Sequence, residues 1–531
     1  MYKKVKHFFY LMVATTLIVA CSDRLDLSPE DERNTSDTAF DDPGSYKAFL
    51  AKIYAGLSLS GQQGPAGMPD LQGLDEGFSN YLRLYWKMQE LTTDEAVIGW
   101  DDGTIKDLHY QNWTSGNEFI STMYARIMYQ VSLTNEFLRQ TTNEKLDERG
   151  VTEPLLSEIK TYRAEARFMR ALSYWHAMDL FGNPPFVTEE NPIGAFMPEQ
   201  ILRSDLFSFI ESELLAIEND LIAPRQNEYG RADRAAAWTL LAKLYLNAQV
   251  YTGTAQNQKA VQYCEKVIGV GYVIAGIPYK HLFLADNHTN GAQQETIFPV
   301  PFDGLRTMSY GGMTFLVHAQ VGGNMIPANY GIGGGWSGLR TTKALVEKFP
   351  GEENSADSRA QFFTDGHQKE IDNISNFFHG FAVEKWWNVD VNGNPGSDPI
   401  EHPDVDFPMF RLADVYLMYA EAVLRGGGGS QSLAVGYINE LRQRAYGDSS
   451  GNITEGDLTL DFILAERSRE LYWEAHRRTD LIRFGQFSSQ GIWPWKGNVP
   501  QGTTTEAFRD LMPIPNADIS INPNLVQNPG Y

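Results

Sequence analysis

Residues 234–251, RAAAWTLLAKLYLNAQVY, space their apolar side chains as a helix does. From Trp238 to Tyr245 the apolar residues recur three and four positions apart, so they share one face of the helix. This spacing matches the opening of a tetratricopeptide helix, whose apolar stripe packs against a partner helix. The stretch therefore predicts one member of a helical hairpin, with its aromatic residues in the core.

Helical spacing recurs along much of the chain. The run from Phe168 to Trp175 repeats the pattern of residues 238–245. The other segments with apolar residues at helical spacing are 162–181, 257–268, 411–425 and 431–445. We therefore predict a mostly α fold of tetratricopeptide-like hairpins with a few short strands, in which the helical scaffold is strongest at 160–270 and 410–485.

Three long stretches interrupt the helical pattern. Residues 61–77, 303–338 and 380–408 are rich in Gly, Pro and Asn and lack helical periodicity. Loops of this length are usually functional or disordered. The middle stretch carries Tyr310 and Trp336 among glycines, which let the backbone approach a ligand closely. Because so little side-chain volume surrounds Trp336 in the sequence, its indole is predicted to be exposed.

The N-terminus has the pattern of a bacterial lipoprotein. A basic start is followed by an apolar run that is too short to span a membrane, since a spanning helix needs about 20 apolar residues. The run ends in IVAC at Cys21, a lipobox whose cysteine is acylated after cleavage. We predict a signal peptide at 1–20, a lipidated Cys21 with a polar tether at 21–42, and a body at 43–531. The alternative is a cleaved, soluble secretory protein.

The charge and the cysteine content of the chain limit which partners and which disulfides are expected. The chain has 44 basic and 67 acidic residues, a net charge of −23, which disfavours nucleic acid and anionic lipid surfaces as partners. After lipidation of Cys21, only Cys264 remains, so no intrachain disulfide is expected. With 42% hydrophobic residues, the chain can instead rely on a large core.

No enzyme motif stands out. The sequence lacks His-Glu-x-x-His, Gly-x-Ser-x-Gly and Cys-x-x-Cys. A glycosidase needs only two carboxylates about 5 to 10 Å apart, and the pairs Asp75-Glu76 and Asp94-Glu95 are candidates. Adjacent acids of this kind are more typical of a solvated loop or a helix cap. The residues alone therefore leave a glycosidase open as the rival class.

The last third of the chain carries a specific set of motifs. They are Glu466-Arg467, Glu470-Leu471, Glu474, Arg477-Arg478-x-Asp480-Leu481-x-Arg483-Phe484-Gly485, and the closing segments PIP (513–515), NPN (522–524) and QNPGY (527–531). This set resembles the C-terminal hallmark of the SusD-like (RagB/SusD) family of outer-membrane glycan-binding lipoproteins. The resemblance extends to PDLQGLDEG at 69–77, ELTTDE at 90–95 and WPWKG at 493–497.

The resemblance implies a function at the cell surface. Such a protein is anchored to the outer membrane by its lipid, captures starch or malto-oligosaccharides, and delivers them to a SusC-like TonB-dependent transporter. It binds glycan and is not an enzyme. The alternatives are the same role for a different glycan, such as a β-glucan or a fructan, and, less expected, a glycosidase.

The resemblance also implies a site built from the loops at 61–115 and 300–340. A pyranose lays its apolar C–H face on an aromatic ring, while its hydroxyls need directional polar partners such as a guanidinium. Three rings form an aromatic arc on the protein surface, and polar side chains beside it contact the sugar hydroxyls. The residues implied are Trp100, Tyr310, Trp336, Arg83 and Asp75.

Two positions depart from the family pattern. An asparagine that contacts sugar in the family is replaced by Gly103, so one hydrogen bond is missing or is supplied by a neighbour. The resemblance also allows a structural calcium ion at Asp286, Asp404 and Asp406, although His288 replaces an expected oxygen ligand. No cofactor is otherwise expected.

Overall fold

Helices dominate the computed structural model, which describes residues 39–71, 73–192, 194 and 196–531. The α-helices are α1 Gly44–Ser58, α2 Tyr81–Trp86, α3 Lys106–Tyr110, α4 Glu118–Gln140, α5 Asn143–Glu148, α6 Leu155–Phe181, α7 Arg203–Ile217, α8 Arg234–Leu246, α9 Ala248–Thr252, α10 Asn257–Ile268, α11 Gly312–Ala319, α12 Lys343–Val346, α13 Leu412–Leu424, α14 Gln431–Tyr446, α15 Leu460–Leu471, α16 Arg477–Arg483 and α17 Asn516–Ile521. The prediction of a mostly α fold is confirmed. The predicted signal peptide and Cys21 lie outside the described residues.

Several helices begin at side chains that accept hydrogen bonds from the first turn. The Asn117 side chain accepts from two backbone N–H groups at the start of α4, both at 3.1 Å. Asp233 does the same at the start of α8, at 2.8 and 3.1 Å, and Ser430 accepts from Leu433 at the start of α14. Such caps satisfy N–H groups that have no partner within the helix. They fix where the scaffold helices start.

The predicted hairpins are present, with one difference. Helix α8 packs against α10, α10 against α13, and α13 against α14. Residues 234–251 were predicted as one helix, but they form α8 and α9, separated at Asn247. The Asn247 side chain donates to the carbonyl of Lys243 at 2.9 Å, and such local side-chain bonds compete with the helical pattern. Trp238 and Tyr245 are buried, as predicted.

Six short strands form three antiparallel pairs. They are β1 Val97–Ile98, β2 Thr296–Val300, β3 Leu339–Arg340, β4 Phe362–Phe363, β5 Ala382–Val383 and β6 Phe407–Arg411. The pairs are β1 with β3, β2 with β6, and β4 with β5. Pairing of β1 with β3 continues into a hydrogen bond of 3.0 Å from Gly99 N–H to the Gly338 carbonyl. Two loops far apart in sequence are thereby joined.

One helix lies in a stretch that was predicted to be a loop. Helix α11 falls within residues 303–338, which lack helical periodicity. All eight of its residues are buried, so it has no polar face and leaves no periodic signal in the sequence.

A single large hydrophobic cluster contains most of the buried apolar residues of the described chain. Cys264 is a buried free thiol. Within the described ranges, no helix has the length and apolar character needed to cross a membrane.

The C-terminal motifs form a buried network of ion pairs. The Arg411 guanidinium lies 2.6 Å from Glu474 and 2.7 Å from Glu470, and Arg359 lies 2.9 Å from Glu466. All of these side chains are at most 2% exposed. Burial alone would raise the carboxyl pKa, but the surrounding guanidinium groups outweigh it and lower the pKa of both Glu466 and Glu470 to about 2. The motifs therefore hold the core together.

Candidate functional site

The largest group of predicted site residues lies around one cavity. This cavity has a volume of about 740 Å³. All five residues implied by the resemblance line it, namely Asp75, Arg83, Trp100, Tyr310 and Trp336. They come from two parts of the chain more than 200 residues apart, which meet around the β1–β3 pair and helix α2. Four further lining residues that the sequence did not single out as ligand contacts are Glu76, Phe78, Asp101 and Asp102.

Three aromatic rings form a curved surface in this cavity. The centroid of Trp336 lies 6.3 Å from Trp100 and 6.5 Å from Tyr310. The ring planes are tilted by 47° in the first pair and 57° in the second. No two neighbouring rings are coplanar, so the surface bends at each step. We call Trp100, Trp336 and Tyr310 the aromatic arc.

Strand pairing and one glycine position Trp100. Trp100 lies two residues after the end of β1, and its Nε1–H donates to the Trp336 carbonyl at 3.2 Å. The ring lies over Gly338, where an added Cβ would be 2.5 Å from the indole Cε2 and Cζ2 atoms. Any larger residue at 338 would therefore push the ring away. The glycine at this position permits the close approach of loop backbone and indole.

Trp336 is held by α11 and is not fully exposed. Its backbone N–H donates to the His318 carbonyl at 2.8 Å. Its ring stacks on the His318 imidazole, with centroids 4.8 Å apart and an interplanar angle of 27°. The side chain is partly buried and packs against the core, so the prediction of an exposed indole was wrong. Neighbouring glycines remove side-chain volume locally, but the ring packs on residues from distant parts of the chain.

Carboxylates position Tyr310 at both ends. Glu76 accepts from the Tyr310 backbone N–H at 2.9 Å and from the Ser309 hydroxyl. The Tyr310 hydroxyl donates to Glu401 at 3.2 Å. Partial burial and the nearby Glu401 carboxylate raise the pKa of this phenol. Tyr310 therefore stays neutral and presents its ring with a fixed orientation.

Arg83 lies under the arc rather than at an open surface. The residue is 4% exposed, and its guanidinium carbon lies 4.3 Å from the ring centroids of both Phe78 and Phe315. Nη1 donates to the Tyr310 carbonyl at 2.9 Å, whereas Nε is buried with no partner among the described residues. Burial lowers the pKa of Arg83 to about 9, opposed by the carboxylates of Asp75, Asp102 and Glu76. The guanidinium thus has donor capacity left for a ligand.

Acidic side chains dominate the charge of the cavity. Asp75 is exposed and accepts from the Phe78 backbone N–H at 2.8 Å. Asp101 is paired with Lys106 at the rim. Asp102 is partly exposed and also lines the cavity. These carboxylates can accept hydrogen bonds from hydroxyl groups, and they repel anions.

At Gly103, which replaces the family asparagine, a neighbouring glutamate occupies the space for a side chain. Gly103 has φ of +47°, and a Cβ added there would lie 1.6 Å from Oε1 of Glu118. The same Oε1 accepts from the Thr104 N–H at 3.1 Å. The Glu118 carboxylate therefore fills the space that a side chain at position 103 would need.

The acid pairs suggested for a glycosidase have other roles. Both Asp94 oxygens are bound, by Arg477 at 2.7 and 2.8 Å and by Lys348 at 2.8 Å. Glu95 accepts from the Ser468 hydroxyl, and the pair is buried. The prediction of a solvated pair at these two positions was therefore wrong. A short run of acids in the sequence cannot show that arginines from another part of the chain will enclose it.

The residues suggested for calcium already have protein partners. Asp404 accepts from the Gly304 and Ser397 N–H groups at 2.7 and 2.6 Å. Asp406 accepts from the Phe302 N–H at 2.8 Å, and Asp286 accepts from the Asn290 amide. Across the described ranges, no three His, Cys, Asp or Glu side chains are grouped as a metal site. As arranged, the three aspartates do not form a ligand set, and calcium binding stays a prediction from sequence.

Comparisons with known proteins agree with this architecture. A family model described as the SusD family matches residues 351–531. A starch-binding protein, SusD, from Bacteroides thetaiotaomicron is 36% identical over 580 aligned residues, covering 100% of this chain and 99% of that protein. A SusD-like protein from Bacteroides ovatus is 25% identical over 94% of this chain and 86% of that protein.

Solved structures share the fold. A surface glycan-binding protein A from Bacteroides thetaiotaomicron, in complex with laminarihexaose, superposes with a TM-score of 0.68 at 20% identity, covering 91% of this chain and 99% of that one. A SusD superfamily protein from Bacteroides vulgatus gives a TM-score of 0.70 at 19% identity, over 92% and 99% of the two chains. These structures show the same fold, and the 36% identity to SusD over the full chain establishes that this chain belongs to the SusD family.

Proposed function

We propose that this protein captures starch or malto-oligosaccharides on its aromatic arc and does not cleave them. The observation that carries the proposal is the tilt of successive rings by 47° and 57°. The SusD family consists of carbohydrate-binding proteins that are not catalytic. The relative that is 36% identical over the full chain is named a starch-binding protein.

The geometry of the arc favours an α-linked glucan. An α-1,4-glucan curves into a helix, so its successive sugar faces are inclined to one another. A flat β-glucan would instead need coplanar rings to keep several sugar faces in contact. Each ring of the arc can cover one apolar sugar face, while Arg83 and Asp102 lie beside the rings to pair with the hydroxyls.

The charge of the cavity supports an uncharged glycan. Among the described residues, four carboxylate side chains and one cationic side chain, that of Arg83, line the cavity. Uronate or sulfated glycans would bring further negative charge into this field. The carboxylates can accept hydrogen bonds from neutral sugar hydroxyls at no such cost.

Location and partner follow from the N-terminal motif and the family. We propose that lipidation at Cys21 anchors the protein to the outer membrane, at the cell surface. There it would deliver bound oligosaccharide to a SusC-like TonB-dependent transporter. Co-purification of such a transporter with the full-length protein from detergent-solubilised outer membranes would support this partner, and recovery of the lipoprotein alone would contradict it.

Calorimetric titration tests the ligand directly. Maltoheptaose should bind, whereas cellohexaose, a flat β-1,4-glucan, and an inulin-type fructan should bind at least tenfold more weakly. Tighter binding of cellohexaose or of laminarihexaose than of maltoheptaose would overturn the assignment to starch. Long incubation with amylose should release no reducing ends above a buffer control. Release that an Asp75→Asn or Glu76→Gln change abolishes would instead establish a glycosidase.

A further inference from the structure

A buried histidine lies directly behind the aromatic arc. His318 is near the end of α11 and is 3% exposed. Its Nδ1 lies 2.6 Å from the carbonyl oxygen of Gly334, and its Nε2 lies 2.8 Å from the carbonyl oxygen of Glu401. The ring stacks on Trp336 at 4.8 Å. No sequence pattern singled out this residue, because its partners are backbone atoms, 16 and 83 positions away in the chain.

The two carbonyl partners constrain the protonation state of this imidazole. A carbonyl oxygen can only accept a hydrogen bond, so each contact needs an N–H on the histidine. A neutral imidazole has one N–H and one lone pair, and it can therefore bond only one of the two carbonyls. The imidazolium has two N–H groups and can bond both.

The two carbonyls belong to the two segments that position the arc. Gly334 is two residues before Trp336, in the glycine-rich loop that precedes β3. Glu401 accepts the hydrogen bond of the Tyr310 hydroxyl through its carboxylate. Through these contacts, the imidazole connects the loop that carries Trp336 to the segment that holds the Tyr310 hydroxyl.

We propose that His318 is a positioning residue of the glycan site, which fixes Trp336 relative to Tyr310 and does so fully only when both of its ring nitrogens carry a proton. The proposal rests on the proposed glycan binding at this arc. When one nitrogen loses its proton, one carbonyl faces a lone pair and loses its hydrogen bond, which leaves its segment less firmly held. The ring spacing then varies, and a curved oligosaccharide is held less tightly.

The charged surroundings set the direction of the pH dependence. Burial lowers the pKa of His318 below its ordinary value of 6.5, and the carbonyls of Glu401 and Gly334 oppose this. The other titratable groups facing the imidazole are His402, which lowers the pKa further, and the Glu401 carboxylate, which raises it. Protonation therefore occurs on the acid side of the ordinary histidine range. Because the protonated form is the better binder, affinity should rise as the pH falls.

Titration with maltoheptaose at several pH values tests the proposal. As the pH falls from 7.5 into the range below 6.5, the wild-type Kd should fall by about fivefold, the equivalent of one hydrogen bond, with net proton uptake on binding. His318→Gln cannot become charged, so its Kd should not change with pH. His402→Gln is the matched control and should keep a pH dependence, with its midpoint moved to higher pH because His402 lowers the pKa of His318. A pH dependence that persists in His318→Gln, or disappears in His402→Gln, would overturn the proposal.

A ligand-free measurement separates this proposal from the function itself. In protein with labelled histidine and tryptophan, His318→Gln and Trp336→Phe identify the two NMR signals. The Trp336 indole signal should shift with the same midpoint as the His318 signal, and an indole signal that does not respond to pH would refute the coupling. Failure of the wild type to bind maltoheptaose at any pH, with the NMR coupling present, would refute the proposed ligand and not the role of His318.

Discussion

Trp336 is the central ring of the arc, and its truncation gives the sharpest test of glycan binding. One face of an indole presents roughly 80 Å², about half of what a buried aromatic side chain covers. At about 25 cal/mol per Å², covering that face with a sugar contributes about 2 kcal/mol. Trp336→Ala should therefore weaken maltoheptaose binding about thirtyfold.

The same substitution should also cost stability, because the indole is partly buried. Complete burial makes a Trp→Ala change cost about 3 to 5 kcal/mol, so a partly buried ring should cost about 2 kcal/mol. In a chain of this length, that lowers the Tm by a few degrees. A loss of affinity could then be attributed to misfolding unless a control has the same stability defect.

Trp495 provides that control. This tryptophan is also partly buried, its Nε1–H donates to the Ile371 carbonyl at 2.7 Å, and it does not line the cavity. Trp495→Ala should lower the Tm by a similar amount and leave the Kd unchanged. Calorimetric titration and thermal unfolding of both variants give the comparison. If Trp336→Ala binds maltoheptaose within twofold of wild type, Trp336 does not contact sugar and the arc argument fails.

Three further outcomes are expected. Gly103→Asn should lower the Tm by a few degrees and bring no gain in maltoheptaose affinity, because Glu118 occupies the space; a tighter Kd would show that the carboxylate moves aside at little cost. Folding stability, followed by thermal unfolding, should be lost as the pH falls from about 4.5 towards 2, since the ionised forms of Glu466 and Glu470 are favoured in the folded state; a flat Tm over this range would contradict the ion-pair assignment. Cys21→Ala should abolish fatty-acid labelling in cells while the purified protein still binds glycan, and a variant that is still labelled would exclude Cys21 as the acylation site.

The helical scaffold was predictable because amphipathic helices carry their periodicity in the sequence. The segment at 257–268 is a helix with the predicted bounds. Helix α11 was not predictable in this way, since it is buried on all sides. At the break, the Asn247 side chain donates to the Lys243 carbonyl and accepts from Arg483, and no apolar pattern records such bonds.

The residues that form the site were predictable from the sequence, but the surroundings of those residues were not. The family motifs indicated Trp100, Tyr310 and Trp336, and the structure brings the three rings together. The burial of Arg83 and the role of His318 depend on contacts between segments more than 80 residues apart. A local sequence pattern cannot reveal such contacts, because the exposure of a residue depends on which other parts of the chain pack against it.

The pairing of β1 with β3 has a consequence for folding and export. The hydrogen bond from Trp100 to Trp336 spans 236 positions, and the one from Arg83 to Tyr310 spans 227. Closing loops of this size is slow, so the arc is completed only when most of the chain has reached its native arrangement. A partly folded chain in transit should consequently be unable to trap sugar. Once the chain is complete, glycan at a hundredfold excess over its Kd should stabilise it by about 2.7 kcal/mol. Ligand binding and completion of the fold should therefore occur together, as one cooperative transition, and either can be used to follow it.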